Sequence, residues 1–269
     1  MAPALSQSPV SALTIAGSDS GGGAGIQADL RTFAAFGVHG TTAITAVTAQ
    51  NTRGVSAIAM LSPTMVRAQI DAVLDDFPVA AIKTGMIGTA ALARMIGASL
   101  VAHPSIPLIV DPVLIATSGA ALSRGNLTAA IKRHLLPRAD LLTPNVPEAE
   151  QLLGRPVVTR DDLLSAALEL RAMGARAVLL KGGHLPGDAV HDVLVSDSGT
   201  RWFAHPRLAV EGHGTGCTLA AATAAGLARQ RCLEDAVAEA IDFVGKALAL
   251  AYRPGRGEVV VLDHRGARN

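Results

Sequence analysis

The sequence predicts an α/β protein in which helices cover both faces of a mostly parallel central sheet. Apolar runs of strand length alternate with helix-period segments along the chain, and 49% of its 269 residues are apolar while only 17% are charged. No fixed-period repeat or low-complexity linker interrupts this alternation, which is typical of sheets whose strands are connected through helices. We therefore expect residues 11–269 to form a single domain after a disordered tail at residues 1–10.

Each predicted strand is a short apolar run, and each predicted helix is a longer segment with apolar residues at the helical period. The first half contains the strand SALTIAG before a helix at 26–36, TAITAVTAQ before a helix at 64–77, VAAIKTG before a helix at 90–101, and PLIVDP before a helix at 127–136. The second half contains LLTPN before helices at 148–153 and 161–173, AVLLKGG before a hairpin-like stretch at 189–204, and alanine-rich helices at 217–229 and 233–251.

Charge and composition exclude several classes of function. The chain has 23 Lys and Arg against 22 Asp and Glu, a net charge of +1 and few aromatic residues. It therefore lacks both the basic surface and the stacking platforms of a nucleic-acid-binding protein. Its longest apolar stretches, such as residues 219–228, are far shorter than the ~20 residues of a membrane span. We expect neither nucleic acid nor membrane as a partner.

The N-terminus and the cysteine content indicate the compartment. The segment MAPALSQSPVSA has no Lys or Arg ahead of a long apolar run, so it does not resemble a secretory signal. Cys217 and Cys232 are too few and too far from a CxxC pattern to form a disulfide scaffold or a metal site. We expect a cytoplasmic protein.

Polar or glycine-rich residues follow each predicted parallel strand. They are Gly17-Ser18-Asp19, Gln50-Asn51, Lys83-Thr84-Gly85, Asp111-Pro112, Asn145 and Lys181-Gly182-Gly183. Such residues also form ordinary turns. Ligands of open parallel sheets, however, bind outside the carboxyl ends of the strands, and six polar ends at one edge favour a binding site there.

The first glycine-rich segment, AGSDSGGGAGIQAD at residues 16–29, connects a strand to a helix. Gly21 and Gly23 match the start of a dinucleotide-binding fingerprint, but Ile26 stands at its third glycine, and no GK[ST] follows for a P-loop. The glycines instead favour close packing of the backbone against a small ligand. Asp29 is either part of that pocket or an exposed residue of the helix.

The second glycine-rich segment precedes a strongly predicted helix. Gly212, Gly214 and Gly216 alternate there, and a helix N-terminus preceded by glycines presents backbone N–H groups to an anion. We expect a hole for a transferring phosphoryl group. Cys217 falls in the first helical turn, where the helix dipole and bound cations would lower its thiol pKa and make it a candidate base. Its alternative role is that of a small buried hydrophobic residue.

Metal and phosphate ligands are predicted at the strand ends of the second half. Asp111 with Asn145 and Glu148 supplies the carboxylate and amide oxygens that suit Mg²⁺ bound together with substrate phosphates. Asn145 and Glu148 also have the spacing of a helix capping box, an equally good explanation of the pair. Lys181 either reaches phosphate oxygens or is an exposed strand-end lysine. The histidines have no HxxH spacing, so a catalytic zinc site is not expected.

Seven motifs resemble a known family. They are AGSDSGGGAGIQAD, TAQNTRGV, KTGM, DPV with a following ATSG, TPNVPEAEQLLG, KGGH and HGTGCT, in this order, within residues 13–250. Together they resemble the hydroxymethylpyrimidine and phosphomethylpyrimidine kinases of thiamine biosynthesis, in the ribokinase superfamily. The resemblance implies a ribokinase-like three-layer α/β/α sandwich, usually a homodimer, that uses ATP and Mg²⁺ to phosphorylate 4-amino-5-hydroxymethyl-2-methylpyrimidine and then its monophosphate. Because the sequence ends shortly after these motifs, we expect no fused thiamine-phosphate synthase domain.

The resemblance assigns roles to residues of this sequence. Gln50 would read the pyrimidine, because its amide both donates and accepts hydrogen bonds. The same pocket would be lined by Gly17, Ala24, Asp29 and Met86. Cys217 occupies the position of the catalytic base. The transferring phosphate would be held by the backbone N–H groups of Gly214, Thr215, Gly216 and Cys217. The Mg²⁺ and the ATP phosphates would be bound by Asp111, Asn145, Glu148 and Lys181. The tail RPGRGEVVVLDH only loosely resembles the family's ending.

Three other functions are weighed against this one. Pyridoxal kinase is the nearest, because pyridoxal also carries a ring-borne hydroxymethyl group, but Gln50 favours the pyrimidine. A non-catalytic vitamin or nucleotide sensor would bind ligand through the same edge, although intact GTGC, DPV and NxxE motifs argue against a decayed site. A nicotinamide-dependent oxidoreductase is disfavoured by the incomplete dinucleotide fingerprint.

Overall fold

The computed structural model of the protein describes residues 9–114, 126–210 and 212–268. Most of the expected N-terminal tail, residues 1–10, and the ATSG motif at 116–119 lie outside these ranges. The strands are β1 (Ser11–Asp19), β2 (His39–Asn51), β3 (Gly54–Met60), β4 (Val79–Thr84), β5 (Leu108–Val110), β6 (Leu141–Leu142), β7 (Val178–Leu180), β8 (Ala189–Ser196), β9 (Gly199–Pro206), β10 (Gly212–His213) and β11 (Val260–Val261). The α-helices are α1 (Gly25–Ala35), α2 (Pro63–Asp76), α3 (Ala90–Leu100), α4 (Leu127–His134), α5 (Val146–Leu153), α6 (Arg160–Ala172), α7 (Thr215–Ala228) and α8 (Leu233–Ala249).

A nine-stranded sheet in the order β3-β2-β1-β4-β5-β6-β7-β8-β9 organises the described residues. All neighbours from β2 through β7 pair in parallel, whereas β3, β8 and β9 pair antiparallel. The predicted mostly parallel α/β sheet and the predicted hairpin are therefore confirmed. Because the central strands are parallel, their carboxyl ends meet at one edge of the sheet.

Two apolar cores fill the space between the sheet and its helices, which confirms the three-layer α/β/α architecture. Leu13 and Ile15 of β1 face the core formed with α2 to α6, while Ala12 of the same strand faces the core formed with α1, α7 and α8. This alternation follows from the two-residue period of a strand. Since both faces are covered, the central strands are almost continuously apolar, as the sequence shows.

The short strands were not all anticipated. β3 is a half-exposed antiparallel edge strand whose pattern is too weakly apolar to predict a strand, and its pairing with β2 is decided by the tight turn between them. β10 and β11 form a separate parallel pair of two residues each, which brings the C-terminal segment beside residue 213. In the described part of the chain, no helix is long and apolar enough to cross a membrane.

Candidate active site at the carboxyl edge of the sheet

The N-terminus of α7 faces the carboxyl ends of the central strands. Its N-cap is Gly214, with φ of +86°, and no side-chain hydrogen bond caps it. A Cβ at Gly214 would lie 2.0 Å from the carbonyl oxygen of Gly23, so this close approach requires glycine. The first-turn N–H groups are thus left for a ligand, the arrangement that binds anions at helix N-termini.

Lys181 and Asp111 lie against this helix end. A Cβ at Gly216 would lie 3.1 Å from Nζ of Lys181 and 3.9 Å from both carboxylate oxygens of Asp111. Lys181 Nζ is 3.4 Å from Asp111 Oδ1, which also accepts a hydrogen bond from Thr143 Oγ1 at 3.3 Å. Burial opposes the charge on Lys181, but Asp111, Glu148 and Cys217 raise its pKa above the ordinary value. Lys181 is therefore a largely buried ammonium group, with 15% of its side chain exposed, rather than an exposed strand-end lysine.

The residues present fit a magnesium ion at Asp111. Its Oδ2 is buried and has no hydrogen-bond partner among the described residues, so it retains the lone pairs that a cation needs. The described residues contain no cluster of three or more His, Cys, Asp or Glu side chains that would bind a metal without substrate. Mg²⁺ bound through one or two carboxylates together with phosphates matches both observations.

Asn145 and Glu148 form the capping box that the spacing allowed. Asn145 Oδ1 accepts from the Glu148 N–H, and Glu148 Oε2 accepts from the Asn145 N–H, both at 2.9 Å. Burial raises the pKa of Glu148 to about 7, and Asp111 adds to the shift while Lys181 and the N–H donors of Asn145 and Leu114 oppose it. The pair therefore begins α5 and places a second carboxyl group close to Asp111 and Lys181.

The expected lowering of the Cys217 thiol pKa is wrong. Burial raises this pKa to about 11, although the Lys83 ammonium and a hydrogen bond from the Gly25 N–H act in the opposite direction. Asp29 and Asp111 raise it further. Loss of solvation and two nearby carboxylates thus outweigh the Lys83 ammonium and the Gly25 N–H, and the side chain is a thiol at neutral pH.

Asp29 belongs to a buried ion pair, so the alternative prediction that it is an exposed residue of the helix is wrong. Its carboxylate accepts from Lys83 Nζ at 2.9 and 3.0 Å and from Thr14 Oγ1 at 2.6 Å, with both charged side chains fully buried. Burial opposes the charge on Lys83, but Asp29 raises its pKa, as do Cys217 and Asp111. The pair therefore lies close enough to Cys217, in the first turn of α7, to influence its thiol.

The remaining predicted pocket residues lie in β1, in β2, at the start of α1 and just after β4. A Cβ at Gly17 would lie 3.0 Å from Sδ of Met86, so these two residues are in contact. The Ala24 N–H donates to Asp19 Oδ2 at 2.9 Å. Gln50 Nε2 lies 2.9 Å from Nε2 of His213, which itself lies 3.1 Å from Asp19 Oδ2. The tertiary structure thus brings the predicted pocket residues to one side of α7.

Three residues near the site were not predicted. The sequence identified Asp19 and Lys83 only as residues at strand ends. Because glycines follow Asp19, its carboxylate could have been expected to accept hydrogen bonds from the backbone of the next turn. His213 had no signal apart from its position before the GTGC motif. Its partners are remote in sequence, so only the tertiary structure reveals them.

The loop after Lys181 is anchored from β8. The Gly182 N–H donates to Asp192 Oδ1 at 2.8 Å, and a Cβ at Gly182 would lie 2.1 Å from the carbonyl oxygen of His191. A cavity of about 250 Å³ opens beside this turn; its lining includes Thr159, Arg160, Leu185, Pro186 and His191. A larger cavity of about 410 Å³, beside Asp140 and Ala177, lies at the opposite, amino edge of the parallel strands and is remote from this chemistry.

Comparisons with known sequences agree with one another. A family model described as phosphomethylpyrimidine kinase matches residues 19–262. The hydroxymethylpyrimidine/phosphomethylpyrimidine kinase of Streptomyces coelicolor is 46% identical over 264 residues, which cover 98% of this chain and 97% of that protein. The thiamine biosynthesis bifunctional protein ThiED of Geobacter sulfurreducens is 47% identical over 249 residues, 92% of this chain. The matched region spans about half of ThiED, 51% of its length.

Solved structures show the same architecture. The pyridoxal kinase of Bacillus subtilis, determined as an ADP complex, matches with a TM-score of 0.89 and 32% identity over 97% of this chain and 99% of that one. The phosphomethylpyrimidine kinase of Clostridium difficile matches with a TM-score of 0.79 and 38% identity over 88% of this chain and 99% of that one. These similarities extend over nearly all of the fold.

Proposed function

The chain belongs to the phosphomethylpyrimidine kinase family, and we propose that it transfers the γ-phosphoryl group of ATP to 4-amino-5-hydroxymethyl-2-methylpyrimidine and then to the resulting monophosphate, giving the diphosphate used in thiamine biosynthesis. The observation that carries this function is the meeting at one sheet edge of an uncapped helix N-terminus, the largely buried ammonium of Lys181 and the carboxylate of Asp111, whose Oδ2 has no partner among the described residues. Phosphoryl transfer requires mainly such positioning and charge stabilisation.

The transferring phosphoryl group would bind at the start of α7. Gly214, Thr215, Gly216 and Cys217 supply backbone N–H groups there, and the absence of a side chain at Gly216 leaves room beside Lys181 Nζ. Lys181 would neutralise charge on the phosphate oxygens, and Asn145 holds the neighbouring strand end in place through its cap of α5. Charge that develops during in-line attack is therefore met by groups that are already oriented.

Asp111 would hold the magnesium ion through Oδ2, and Glu148 would add a second carboxyl group near it. When bound, Mg²⁺ supplies positive charge that neutralises the ATP phosphates and orients them. Thr143 donates to the other oxygen of Asp111 and so orients the carboxylate.

The hydroxymethyl proton of the acceptor has to leave as the new O–P bond forms. With a pKa of about 11, Cys217 is a thiolate in only roughly one molecule in ten thousand at neutral pH, which makes it a weak base before substrates bind. We therefore assign Cys217 first to shaping the site through its backbone N–H and its sulfur, and only second to proton removal. A loose transition state demands little from a base.

The acceptor pocket would be formed by Gly17, Ala24, Met86 and Gln50. Gln50 would pair with the ring nitrogen and amino group of the pyrimidine, because its amide has one acceptor and one donor face. Asp29 contributes through the buried pair with Lys83, whose ammonium already engages both of its carboxylate oxygens. By family resemblance, we also propose a cytoplasmic homodimer in which residues 11–269 act as one kinase domain.

Pyridoxal is the second candidate acceptor, because the Bacillus subtilis pyridoxal kinase matches this fold with a TM-score of 0.89. The test is phosphorus NMR of the purified protein with ATP and Mg²⁺, with hydroxymethylpyrimidine in one tube and pyridoxal in another. The pyrimidine monophosphate followed by the diphosphate is the expected result. Phosphorylation of pyridoxal alone would show that the protein is a pyridoxal kinase. Ligand binding without turnover in either tube would show that it is a sensor.

A further inference from the structure

Three polar side chains from separate parts of the chain meet beside the predicted acceptor pocket. Asp19 ends β1, Gln50 lies near the end of β2, and His213 lies in β10 directly before the N-cap of α7. The His213 Nε2 atom is 3.1 Å from Asp19 Oδ2 and 2.9 Å from the terminal nitrogen as placed on the Gln50 amide. One ring nitrogen therefore faces both a carboxylate and an amide.

Asp19 is ionised and acts only as an acceptor. Its Oδ1 accepts from the Gly21 N–H at 2.7 Å, and its Oδ2 accepts from the N–H groups of Gly23 at 3.0 Å and Ala24 at 2.9 Å. Burial opposes ionisation of this carboxyl, but hydrogen bonds from His213, Gly21 and Ala24 outweigh it and lower the pKa. A carboxylate with this set of donors requires a proton on the ring nitrogen that faces it.

A ring nitrogen that carries a proton cannot accept one from an amide NH₂ group. The Gln50 amide must therefore turn its oxygen towards His213, since the nitrogen and oxygen of an amide are assigned from their hydrogen bonds. The NH₂ group then faces Thr48 Oγ1, which lies 3.3 Å from the other end of the amide and donates its own proton to the Ser18 carbonyl at 3.0 Å. In this orientation the NH₂ group donates to Thr48, Thr48 donates to Ser18, and the proton on His213 Nε2 lies between Asp19 Oδ2 and the amide oxygen of Gln50.

We propose that His213 is a positioning residue that, held by Asp19, fixes the orientation of the Gln50 amide and thereby decides which hydrogen-bonding groups the acceptor ring meets. This inference rests on the proposed function, because it takes the aminopyrimidine as the ligand that Gln50 reads. His213 would then influence acceptor specificity although its side chain is not one of those that would line the pocket.

The same histidine connects the acceptor pocket to the phosphate hole. A Cβ at Gly23 would lie 2.6 Å from Cδ2 of His213, and Gly214, the next residue, packs against the Gly23 carbonyl. The loop that carries Asp19 and Gly23 thus contacts the segment that begins α7. Because a substitution at position 213 can affect both regions, acceptor binding and turnover have to be measured separately.

The test compares His213→Leu with His213→Gln. Glutamine places an N–H near the position of the histidine Nε2 and leucine places none, so the two variants differ mainly in the donor. Binding of hydroxymethylpyrimidine without nucleotide is measured by calorimetry, and turnover by ADP release. A freed Gln50 samples both amide orientations and further rotamers, so His213→Leu should raise Kd and KM about fivefold with kcat changed less than about twofold. His213→Gln should restore Kd to within about twofold of the wild type.

Selectivity supplies the second readout. The wild type should prefer hydroxymethylpyrimidine over the analogue that lacks the 4-amino group, and His213→Leu should narrow this preference about threefold to tenfold. In a Gln50→Leu background, changing His213 should have no further effect on selectivity, because the residue acts through Gln50. Unchanged Kd and selectivity in His213→Leu would overturn the inference and leave the kinase assignment intact. Absence of pyrimidine binding by the wild type would overturn both.

Discussion

The ammonium group of Lys181 occupies the space into which a side chain at position 216 would project: a Cβ at Gly216 would lie 3.1 Å from Nζ of Lys181. This relationship joins two of the predicted motifs, KGGH and HGTGCT, which are separated by about thirty residues in the sequence. It shows that glycine at position 216 leaves room beside the ammonium group, where a phosphate would meet both the helix N-terminus and a cation.

Gly216→Val should therefore lower kcat about 100- to 1000-fold, because the added side chain displaces Lys181 and fills the phosphate position. The loss should be at least as large as that in Cys217→Ala. Coupled measurement of ADP release compares the two variants. Gly245→Ala is the matched control, since a Cβ there meets open space on α8, and it should keep full activity. Loss of all activity in Cys217→Ala with retention in Gly216→Val would reverse this ranking of roles.

Asp111→Asn should lower kcat at least about 100-fold and raise the Mg²⁺ concentration needed for half-maximal rate, because the amide replaces the carboxylate oxygens that would bind the cation. The fold should persist, since Oδ2 has no partner among the described residues that the substitution would remove. Asp140→Asn, at the opposite edge of the sheet, makes the same chemical change away from the site. Equal magnesium dependence in the wild type and Asp111→Asn would exclude Asp111 as a ligand.

Alkylation of Cys217 reports its protonation state directly. In a Cys232→Ser variant, where Cys217 is the one remaining cysteine, the rate of reaction with iodoacetamide should keep rising with pH to about pH 10 and beyond, because burial raises the thiol pKa to about 11. Only the thiolate reacts, so the rate follows its fraction. A rate that levels off below about pH 8 would show an activated thiolate and restore Cys217 as a ready base.

Lys83→Met should reduce the free energy of unfolding by about 3–5 kcal/mol, because it leaves the Asp29 carboxylate buried without its counter-ion. Urea denaturation measures the change. Arg67→Met removes an equally close but exposed partner, that of Asp71, and should cost less than about 1 kcal/mol. The double variant Asp29→Asn with Lys83→Met should recover part of the loss. A small effect of Lys83→Met alone would mean that water reaches the pair.

The free energy of unfolding should decrease as the pH is lowered, because of the buried side chain of His264. Burial lowers the pKa of His264 to about 4, and its ring contacts Thr218 Oγ1 and the Leu262 carbonyl. The unfolded chain binds a proton near pH 6.5 while the folded chain does not, so the stabilisation is complete above pH 6.5 and is lost as pH falls towards 4.

Protonation of His264 should lower the free energy of unfolding by at most about 3 kcal/mol. Thermal or urea unfolding of the wild type and His264→Gln at several pH values checks it. The stability difference between them should shrink or reverse as pH falls through this window, and a constant difference would contradict the buried neutral histidine.

Much of the fold followed from the sequence by itself. The alternation of apolar strands with helix-period segments determined the parallel sheet and its covering helices, because a strand buried on both faces has to be apolar throughout. Glycines before α7 and polar strand ends indicated which edge carries the candidate site, since the parallel strands all end at that edge. The capping box of Asn145 and Glu148 is local, so its spacing alone gave it as one of the two explanations of the pair.

Only the tertiary structure decided the electrostatics and the long-range partners. The pKa of Cys217 depends on how much water reaches the sulfur and on carboxylates from other elements, which no spacing reveals. Asp29 and Lys83 are separated by 54 residues, and Gln50 and His213 by 163. These pairs form only once α1 meets β4 and β2 meets β10. Local pattern sets the secondary structure and the edge of the sheet, whereas burial and charge at the site are properties of the folded chain.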